Sequence, residues 1–315
     1  MELDKAASHF DDLARKKTKE VQNMKPFVDA NTKHLDFSPV GPMTERRARL
    51  VSLFEDTLSM IKEKKSLADS VERSISGTKY YPESESIAVE KNLGKMTKIS
   101  VTTHRTFQAA ELVANRNPGK RVAVLNFASA TCPGGGVTWG STAQEECLCR
   151  SSTLYPVLNR EKLLEQYYNF HRSRGDALYT DACIYSPNIK VIKSDALHPA
   201  RLPENKWFDV DVITCAAPNL RKVEPPQDSE LRELHIKRGR KILDAALDNG
   251  VECLVLGAFG CGAFRNNPWV VSKAYAQLMK EYKGAFDEVE FAVFCKERDM
   301  TNYEAFKKAL EAFVN

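Results

Sequence analysis

Short apolar runs alternate with helical patterns along most of the chain, and this alternation predicts an α/β fold. The clearest runs lie at 98–102, 121–127, 211–215, 252–257 and 289–294. They are apolar almost throughout, which is typical of strands that are buried on both faces. We therefore expect a three-layer α/β/α sandwich around a central sheet that is largely parallel or mixed.

Two of the predicted helices have recognisable ends. The first begins near Thr44, a suitable N-cap, and the second covers 229–249, with Asp228 or Ser229 as its cap and Gly250 as its stop. The first helix carries one apolar stripe, formed by Leu50, Leu53, Phe54, Thr57, Leu58 and Ile61. This stripe has to pack on another part of the protein, and we expect the main domain to cover it.

The first 95 residues are richer in charge and in lysine than the rest of the chain. We therefore predict an N-terminal helical accessory region at 1–95 and a catalytic domain at 96–315. For the first forty residues the sequence leaves two interpretations open, a disordered tail and an arm that lies on the surface. We find neither internal repeats nor low-complexity tracts.

Composition and charge narrow the class of protein without naming a function. A chain of 315 residues with 43% hydrophobic and 28% charged residues has the composition of an ordinary globular protein. Its net charge of +4 attracts polyanions, but it falls short of a dedicated nucleic-acid binder. No apolar run approaches the roughly 18 residues of a membrane span, and the N-terminus does not resemble a secretory signal. We expect a soluble intracellular protein, cytoplasmic or, in a eukaryote, nuclear.

Three consecutive glycines at 134–136 are followed, after seven intervening residues, by Gln144, Glu145 and Glu146. Backbone without Cβ atoms can approach a sugar or phosphate closely, and carboxyl groups can transfer protons. An acidic pair also suits the first turn of an exposed helix, but three glycines have no use in a helix lead-in. The combination indicates an enzyme that cleaves a bond to a nucleotide sugar. Because neighbouring helical residues point about 100° apart, we expect one glutamate to face the cleft.

A second glycine segment follows the predicted strand at 252–257. Gly257, Gly260 and Gly262 lead to Asn267, a good N-cap, and Pro268, which suits a first helical turn. Exposed N–H groups at a helix start bind anions, so we expect a diphosphate here. The alternative is a tight strand-to-helix turn without a ligand. Both glycine segments follow strands, so we expect them at one edge of the sheet.

In this order, the two segments resemble the poly(ADP-ribose) glycohydrolases of the microbial type. Three glycines, six to eight residues and Gln-Glu-Glu are typical of that family, and so are the flanking residues 126–129 and 133 and the segment 257–264. The similarity runs from about residue 44 to the C-terminus and is weakest before residue 95. It implies a macrodomain that binds ADP-ribose between two loops, hydrolyses poly(ADP-ribose), releases ADP-ribose and needs no cofactor. Its partners would be poly(ADP-ribose) and ADP-ribosylated proteins, as in the reversal of ADP-ribosylation after DNA damage.

The resemblance also implies roles for individual residues. It assigns proton transfer to Glu146, binding of a sugar hydroxyl to Glu145, and packing against the distal ribose to Phe264. The implied substrate-binding residues are Asn126, Gly134, Gly135, Gly136, Val137, Gln144, Gly260, Cys261, Gly262, Ala263 and Phe264. Ser129 departs from the asparagine that many relatives carry, so whether Asn126 takes over that ribose contact stays open. The segment 216–220 resembles a cleft loop that contacts adenine, but an ordinary Pro-Asn turn explains it equally well.

Cysteines and metal-ligand residues give no competing site in the sequence. The eight cysteines are Cys132, Cys147, Cys149, Cys183, Cys215, Cys253, Cys261 and Cys295. They form no C-x-x-C pair and no zinc spacing, so we expect reduced, mostly buried thiols. A nucleophilic cysteine would need a positioned histidine base that the sequence does not identify. Asp195 and His198 lack ligand spacing, so we expect no metal site.

The mechanism that follows starts with protonated Glu146, which gives its proton to the ribose oxygen that leaves. Positive charge on the anomeric carbon is stabilised by the nearby diphosphate, and Glu146 then takes a proton from water. Adjacent glutamates fit neither carboxylate spacing of glycosidases, so stereochemistry is not predicted. Two alternatives stay open: a non-catalytic ADP-ribose reader, which has no use for Glu146, and a hydrolase that removes single ADP-ribose units from protein or nucleic acid.

Overall fold

The computed structural model of the protein describes residues 43–90, 94 and 96–314. The strands are β1 (Lys79–Tyr81), β2 (Lys98–Thr102), β3 (Val122–Phe127), β4 (Cys183–Val191), β5 (Phe208–Cys215), β6 (Cys253–Leu256) and β7 (Glu288–Ala292). The α-helices are α1 (Glu45–Glu63), α2 (Lys65–Gly77), α3 (Thr106–Arg116), α4 (Gln144–Ser151), α5 (Leu154–Leu158), α6 (Glu161–Leu163), α7 (Phe170–Arg174), α8 (Asp228–Asp248), α9 (Pro268–Glu281) and α10 (Thr301–Leu310). A π-helix (Leu164–Asn169) joins α6 to α7, and 3₁₀ turns cover Val137–Trp139 and Glu204–Lys206. The two interpretations of the first forty residues fall outside the described part of the chain.

The strands form one mixed sheet in the order β1-β4-β5-β3-β6-β7-β2. The five strands from β5 to β2 are parallel to their neighbours, whereas β4 runs antiparallel to β5, and β1 antiparallel to β4. The mixed sheet and all five predicted strands are therefore confirmed. The predicted run 289–294 was too long, because β7 ends at Ala292.

Two strands, β1 and β4, were missing from the sequence prediction. In β4 the register shifts between Ser186 and Ile189, next to Pro187 and to Asn188, whose φ is +53°. A proline and a bulge interrupt the alternation that identifies a strand. β1 has only three residues, which is too few for a periodic pattern to appear.

Alternate residues of the central strand β3 face the two helical layers. Val122 and Val124 pack in the core cluster that contains residues of α1 to α6, and Ala123 and Leu125 pack in the cluster with α8 to α10. Successive side chains of a strand point to opposite faces, so these two clusters lie on opposite sides of the sheet. The three-layer sandwich is confirmed.

Helix ends largely follow the predicted signals. Thr44 caps α1 by accepting from Arg47 N at 3.3 Å, and Gly250, with φ of +67°, follows the end of α8. The predicted cap of α8 was wrong, because Gln227 is the N-cap and its N–H donates to Glu230 at 3.2 Å. Glutamine and glutamate here form a reciprocal capping box one residue earlier than predicted.

The described residues before 95 pack closely on the rest of the chain. β1 adds an edge strand to the sheet, and α1 contacts both α4 and the turn at Val137–Trp139. The buried Lys193 ammonium lies 2.8 Å from Asp56 of α1. The division at residue 95 into an accessory region and a catalytic domain stays a prediction. In the part of the chain that the structure describes, no helix is long and apolar enough to cross a membrane.

Candidate functional site

Three loops meet at the carboxyl edge of the parallel strands. β3 pairs with β6 on one side and with β5 on the other, so the segments after these strands are neighbours. Asn266 Nδ2 donates to Pro218 O at 2.8 Å and to Gly260 O at 3.0 Å. Leu220 N donates to Phe264 O at 3.0 Å. The loop after β5 is therefore bonded directly to the second glycine loop.

The first glycine loop has a backbone that only glycine adopts without strain at two positions. Gly134 and Gly135 have φ of +69° and +58°. A Cβ on Gly135 would lie 2.5 Å from Glu146 Oε1 and 3.0 Å from Glu145 Oε2. A Cβ on Gly134 would lie 2.7 Å from the Tyr155 ring. The glycines thus let the backbone pass directly beside both carboxyl groups.

Both glutamates reach this loop, and which of them faces the cleft stays a prediction. They occupy the first turn of α4, where long side chains can bend toward a common neighbour although their Cα–Cβ bonds diverge. Glu145 accepts from Ser129 N at 2.7 Å and from Asn126 Nδ2 at 3.2 Å, one bond to each carboxyl oxygen. Glu146 Oε1 accepts from Gly136 N at 2.8 Å, whereas its Oε2 is buried without a partner among the described residues. The two carboxyl groups therefore differ in their partners.

Burial changes the acidity of both carboxyl groups, because Glu145 is 2% exposed and Glu146 is 6% exposed. Burial raises the pKa of Glu145 to about 8; the Ser129 N–H opposes this rise, and the charge of Glu146 adds to it. Burial also raises the pKa of Glu146, opposed by the Gly136 N–H and by the positive charge of Arg150. Two buried acids this close do not both ionise near neutral pH, so the pair retains a proton.

Gln144 and Asn126 link the helix that carries the glutamates to strand β3. Gln144 accepts from Phe127 N at 2.8 Å, and its amide donates to Leu125 O at 2.8 Å and to Thr106 Oγ1 at 3.0 Å. Asn126 is fully buried, and its amide also donates to Thr214 Oγ1 at 3.2 Å. These bonds fix the position of Glu145 and Glu146 relative to the sheet. Val137 is likewise buried, in the core, so only its backbone can face a ligand.

The second loop presents free backbone at its tip. Gly260 has φ of +79°, and a Cβ there would lie 2.6 Å from Ala217 and 2.7 Å from Asn266. Gly262 and Ala263 are exposed, and the space around Gly262 is open. Cys261 is half-buried.

Helix α9 begins just after this loop, with Asn267 as its cap: Asn267 Oδ1 accepts from Trp269 N at 3.1 Å. The open tip is suited to an anion, whereas the first N–H groups of α9 already bond to Asn267, so the helix start can contribute only its dipole. The two phenylalanines of the second loop differ in position: Phe259 is buried in the core, and Phe264 is half-buried beside Tyr179.

The remaining residues singled out in the sequence are the cysteines, Asp195 and His198. The eight cysteines are free thiols, and burial raises the pKa of both Cys132 and Cys147, which makes their thiolates scarce. Asp195 accepts from Phe107 N at 2.7 Å in the first turn of α3, and His198 is exposed. Within the described ranges, no three His, Cys, Asp or Glu side chains are grouped to hold a metal ion.

One aromatic residue at this edge was assigned wrongly from sequence. Phe294 follows β7 and is 49% exposed, although its apolar surroundings in the sequence predicted a buried strand position. The Arg105 guanidinium lies over its ring, 4.0 Å from the centroid. Because β7 runs parallel to β6, the exposed ring after β7 lies at the edge of the sheet that carries the second glycine loop.

Comparison with known proteins gives a consistent result. The family model for the catalytic domain of microbial-type poly(ADP-ribose) glycohydrolase matches residues 54–194. The solved poly(ADP-ribose) glycohydrolase from Thermomonospora curvata is 33% identical, with 84% of this chain and 100% of that chain covered and a TM-score of 0.75.

Two solved complexes are similar as well. The Thermomonospora curvata protein with the inhibitor ADP-HPD is 34% identical, with 83% of this chain and 99% of that chain covered and a TM-score of 0.73. The glycohydrolase from Deinococcus radiodurans in complex with ADP-ribose is 34% identical, with 78% and 98% covered and a TM-score of 0.70. Comparison with curated protein sequences gave no match.

Proposed function

Since this chain belongs to the microbial-type poly(ADP-ribose) glycohydrolase family, we propose that it hydrolyses the O-glycosidic ribose–ribose bonds of poly(ADP-ribose) and releases ADP-ribose. One observation of the site carries this proposal. Two buried carboxyl groups lie against Gly135, and one of their oxygens, Glu146 Oε2, has no partner in the described part of the protein. A buried carboxyl oxygen without a hydrogen-bond partner costs free energy. A carboxyl group that donates its proton to a substrate needs such an oxygen.

The terminal ADP-ribose unit would lie across the two glycine loops. Its diphosphate would accept from the backbone N–H groups of Gly262 and Ala263, whereas the Cys261 N–H already donates to Ala258 O at 3.1 Å. Its distal ribose would pack on Phe264 and reach the glutamates at the first loop. The Deinococcus radiodurans relative binds ADP-ribose and the Thermomonospora curvata relative binds ADP-HPD, which supports this ligand class.

For the adenine, we propose a contact with Phe294 and not with the loop at 216–220. That loop is already engaged with the protein, because Ala216 O accepts from Arg238 and Pro218 O accepts from Asn266, both at 2.8 Å. Phe294 instead is exposed at the same edge, and because the Arg105 guanidinium covers one face of its ring, adenine would stack on the other face. Adenine stacks favourably on such a face.

In the mechanism, the hydrogen bonds support Glu146 as the proton donor. Glu145 accepts one N–H bond on each oxygen, an arrangement that suits a carboxylate, so we assign it to a ribose hydroxyl and to the developing positive charge. Glu146 carries its proton on Oε2 and transfers it to the leaving ribose oxygen as the anomeric C–O bond breaks. Water then attacks the anomeric carbon, and Glu146 accepts the proton that water loses.

Of the two alternatives, the reader is less well supported by this site. A reader of ADP-ribose needs the glycine loops but gains nothing from two buried acids. A hydrolase of single protein-linked or nucleic-acid-linked ADP-ribose units would use the same cleft.

The free thiols support an intracellular location, and ADP-ribosylated proteins remain proposed partners.

The test is product analysis with two substrates. The full chain is incubated with poly(ADP-ribosyl)ated protein and, separately, with mono-ADP-ribosylated protein, and free ADP-ribose is quantified by chromatography. We expect release from the polymer and little from the mono-modified protein. Binding of ADP-ribose without release from either substrate would identify a reader, and release from the mono-modified protein alone would identify the second alternative.

A further inference from the structure

Tyr179 has a backbone conformation that an aromatic residue rarely adopts. Its φ is +59°, in the left-handed region that glycine, asparagine and aspartate populate most easily. Such a conformation costs free energy and persists only where the surroundings hold it in place. Strained residues of this kind cluster at functional sites, so the surroundings of Tyr179 are informative.

Hydrogen bonds fix both sides of this strained residue. Ala177 O accepts from Asn219 N at 2.8 Å, and Leu178 O accepts from an Arg238 guanidinium nitrogen at 3.0 Å. On the other side, Thr180 Oγ1 is hydrogen-bonded to His171 Nε2 at 2.9 Å. Arg238 is only 1% exposed, so this anchor lies inside the protein. The hydrogen bonds of the residues on both sides therefore hold the backbone of Tyr179 in the strained conformation.

The ring that this backbone directs lies between the loops of the site. Its centroid is 6.2 Å from that of Phe264, with an angle of 51° between the rings. The hydroxyl accepts from Asn219 Nδ2 at 3.4 Å, which leaves its own hydrogen to donate. Burial raises the pKa of Tyr179, and the nearby Cys132 thiol, two residues ahead of the first glycine, adds to that rise. The half-buried ring thus contacts the second glycine loop and the loop after β5.

We propose that Tyr179 is a substrate-positioning residue that forms, with Phe264, an aromatic wall against the terminal ribose. The wall holds the ribose–ribose linkage toward Glu146, and the Tyr179 hydroxyl donates to the bound unit. Glycine would adopt this backbone conformation at a lower cost in free energy. The presence of tyrosine is therefore explained by a role of its ring. This inference rests on the proposed function, because it names a contact of the same substrate.

The experiment compares Tyr179→Gly and Tyr179→Phe with a matched control, Asn188→Gly. Asn188 has a similar φ of +53° but lies in the bulge of β4, away from the glycine loops. Both glycine variants remove the strain of a left-handed backbone conformation. Only Tyr179→Gly also removes a side chain from the site. For each protein, kcat and KM for ADP-ribose release and the melting temperature are measured.

We expect Tyr179→Gly to keep or raise the melting temperature while kcat/KM falls by about 10-fold or more. Tyr179→Phe keeps the ring and should retain more than about a third of kcat/KM, and Asn188→Gly should match the wild type. If Tyr179→Gly is poorly folded, Tyr179→Asn serves instead, since asparagine tolerates positive φ.

Activity within about twofold of wild type in the glycine or asparagine variant would overturn the inference. So would a loss of the same size in Tyr179→Phe and Tyr179→Gly, because the ring would then not matter. Failure of the proposed function is distinguishable, because wild-type protein would then release no ADP-ribose from the polymer.

Discussion

Gly135→Ala tests whether the glycine turn exists to let the backbone pass the two carboxyl groups. The substitution has two separable effects. An alanine at φ of +58° adopts a left-handed conformation, which costs about 1–2 kcal/mol of stability. Its Cβ would also lie 2.5 Å from Glu146 Oε1, where ordinary contacts begin at 3.4 Å, so the carboxyl group has to move by about 0.9 Å.

A shift of this size would break the 2.8 Å bond from Gly136 N and move the proton donor away from the leaving oxygen. Misplacement of a catalytic group by about 1 Å costs on the order of 100-fold in rate. The matched control is Gly119→Ala, since Gly119 has φ of +79° with no atom within 4 Å of its added Cβ. It has the same kind of backbone cost without the collision.

The assay is initial-rate release of ADP-ribose from poly(ADP-ribosyl)ated protein, with urea unfolding of both variants. We expect each variant to lose about 1–2 kcal/mol of stability and only Gly135→Ala to lose about 100-fold in kcat. Equal activity of the two variants would refute the reasoning, because the close approach of Gly135 to the glutamates would then have no catalytic consequence.

Three further predictions concern other contacts. Asp56→Asn should destabilise the protein by about 3–5 kcal/mol in urea unfolding, because the buried Lys193 ammonium loses its ion pair. Asp56→Asn combined with Lys193→Met should recover most of that loss of stability. A single variant as stable as the wild type would contradict the prediction. Burial raises the pKa of both Glu145 and Glu146 above the ordinary 4.5, so the folded pair keeps one proton that the unfolded chain releases. Stability therefore falls with rising pH between 4.5 and about 8, by up to about 1.4 kcal/mol per pH unit. Unfolding measured across this range should show the fall in wild type and a flatter profile in Glu145→Gln; identical profiles would contradict it. Phe294→Ala should weaken ADP-ribose binding by about 1–3 kcal/mol in calorimetry, and unchanged affinity would place the adenine elsewhere.

The parallel core of the fold was predictable because its signals are local. Strand β6 is apolar throughout, β3 is apolar except for Asn126, and the glycines that follow both strands identify the binding edge without knowledge of any partner. Asn267 and Gly250 likewise act through neighbouring backbone, so their capping roles were visible in the sequence. By contrast, β4 combines a proline, a positive φ and a shift in register, which only pairing with β5 accommodates.

The details of the site depend on contacts between distant residues, which sequence spacing does not encode. The helical angle between Glu145 and Glu146 predicted divergence, but both side chains bend to Gly135, about ten residues earlier in the chain. Phe294 looked like a strand residue because nothing in its own segment shows that β7 ends at Ala292. The conformation of Tyr179 is imposed by anchors such as Arg238, so its own sequence neighbours give no sign of it.

The central claim is that Glu146 supplies the proton for cleavage. The most direct measurement compares Glu146→Gln with wild type in release of ADP-ribose and, by calorimetry, in binding of ADP-ribose. Glutamine keeps an oxygen that accepts from Gly136 N but has no acidic proton. We expect turnover to fall by about 100-fold or more, with affinity for ADP-ribose within a few fold of wild type. Turnover close to that of wild type, or loss of binding together with turnover, would contradict the account.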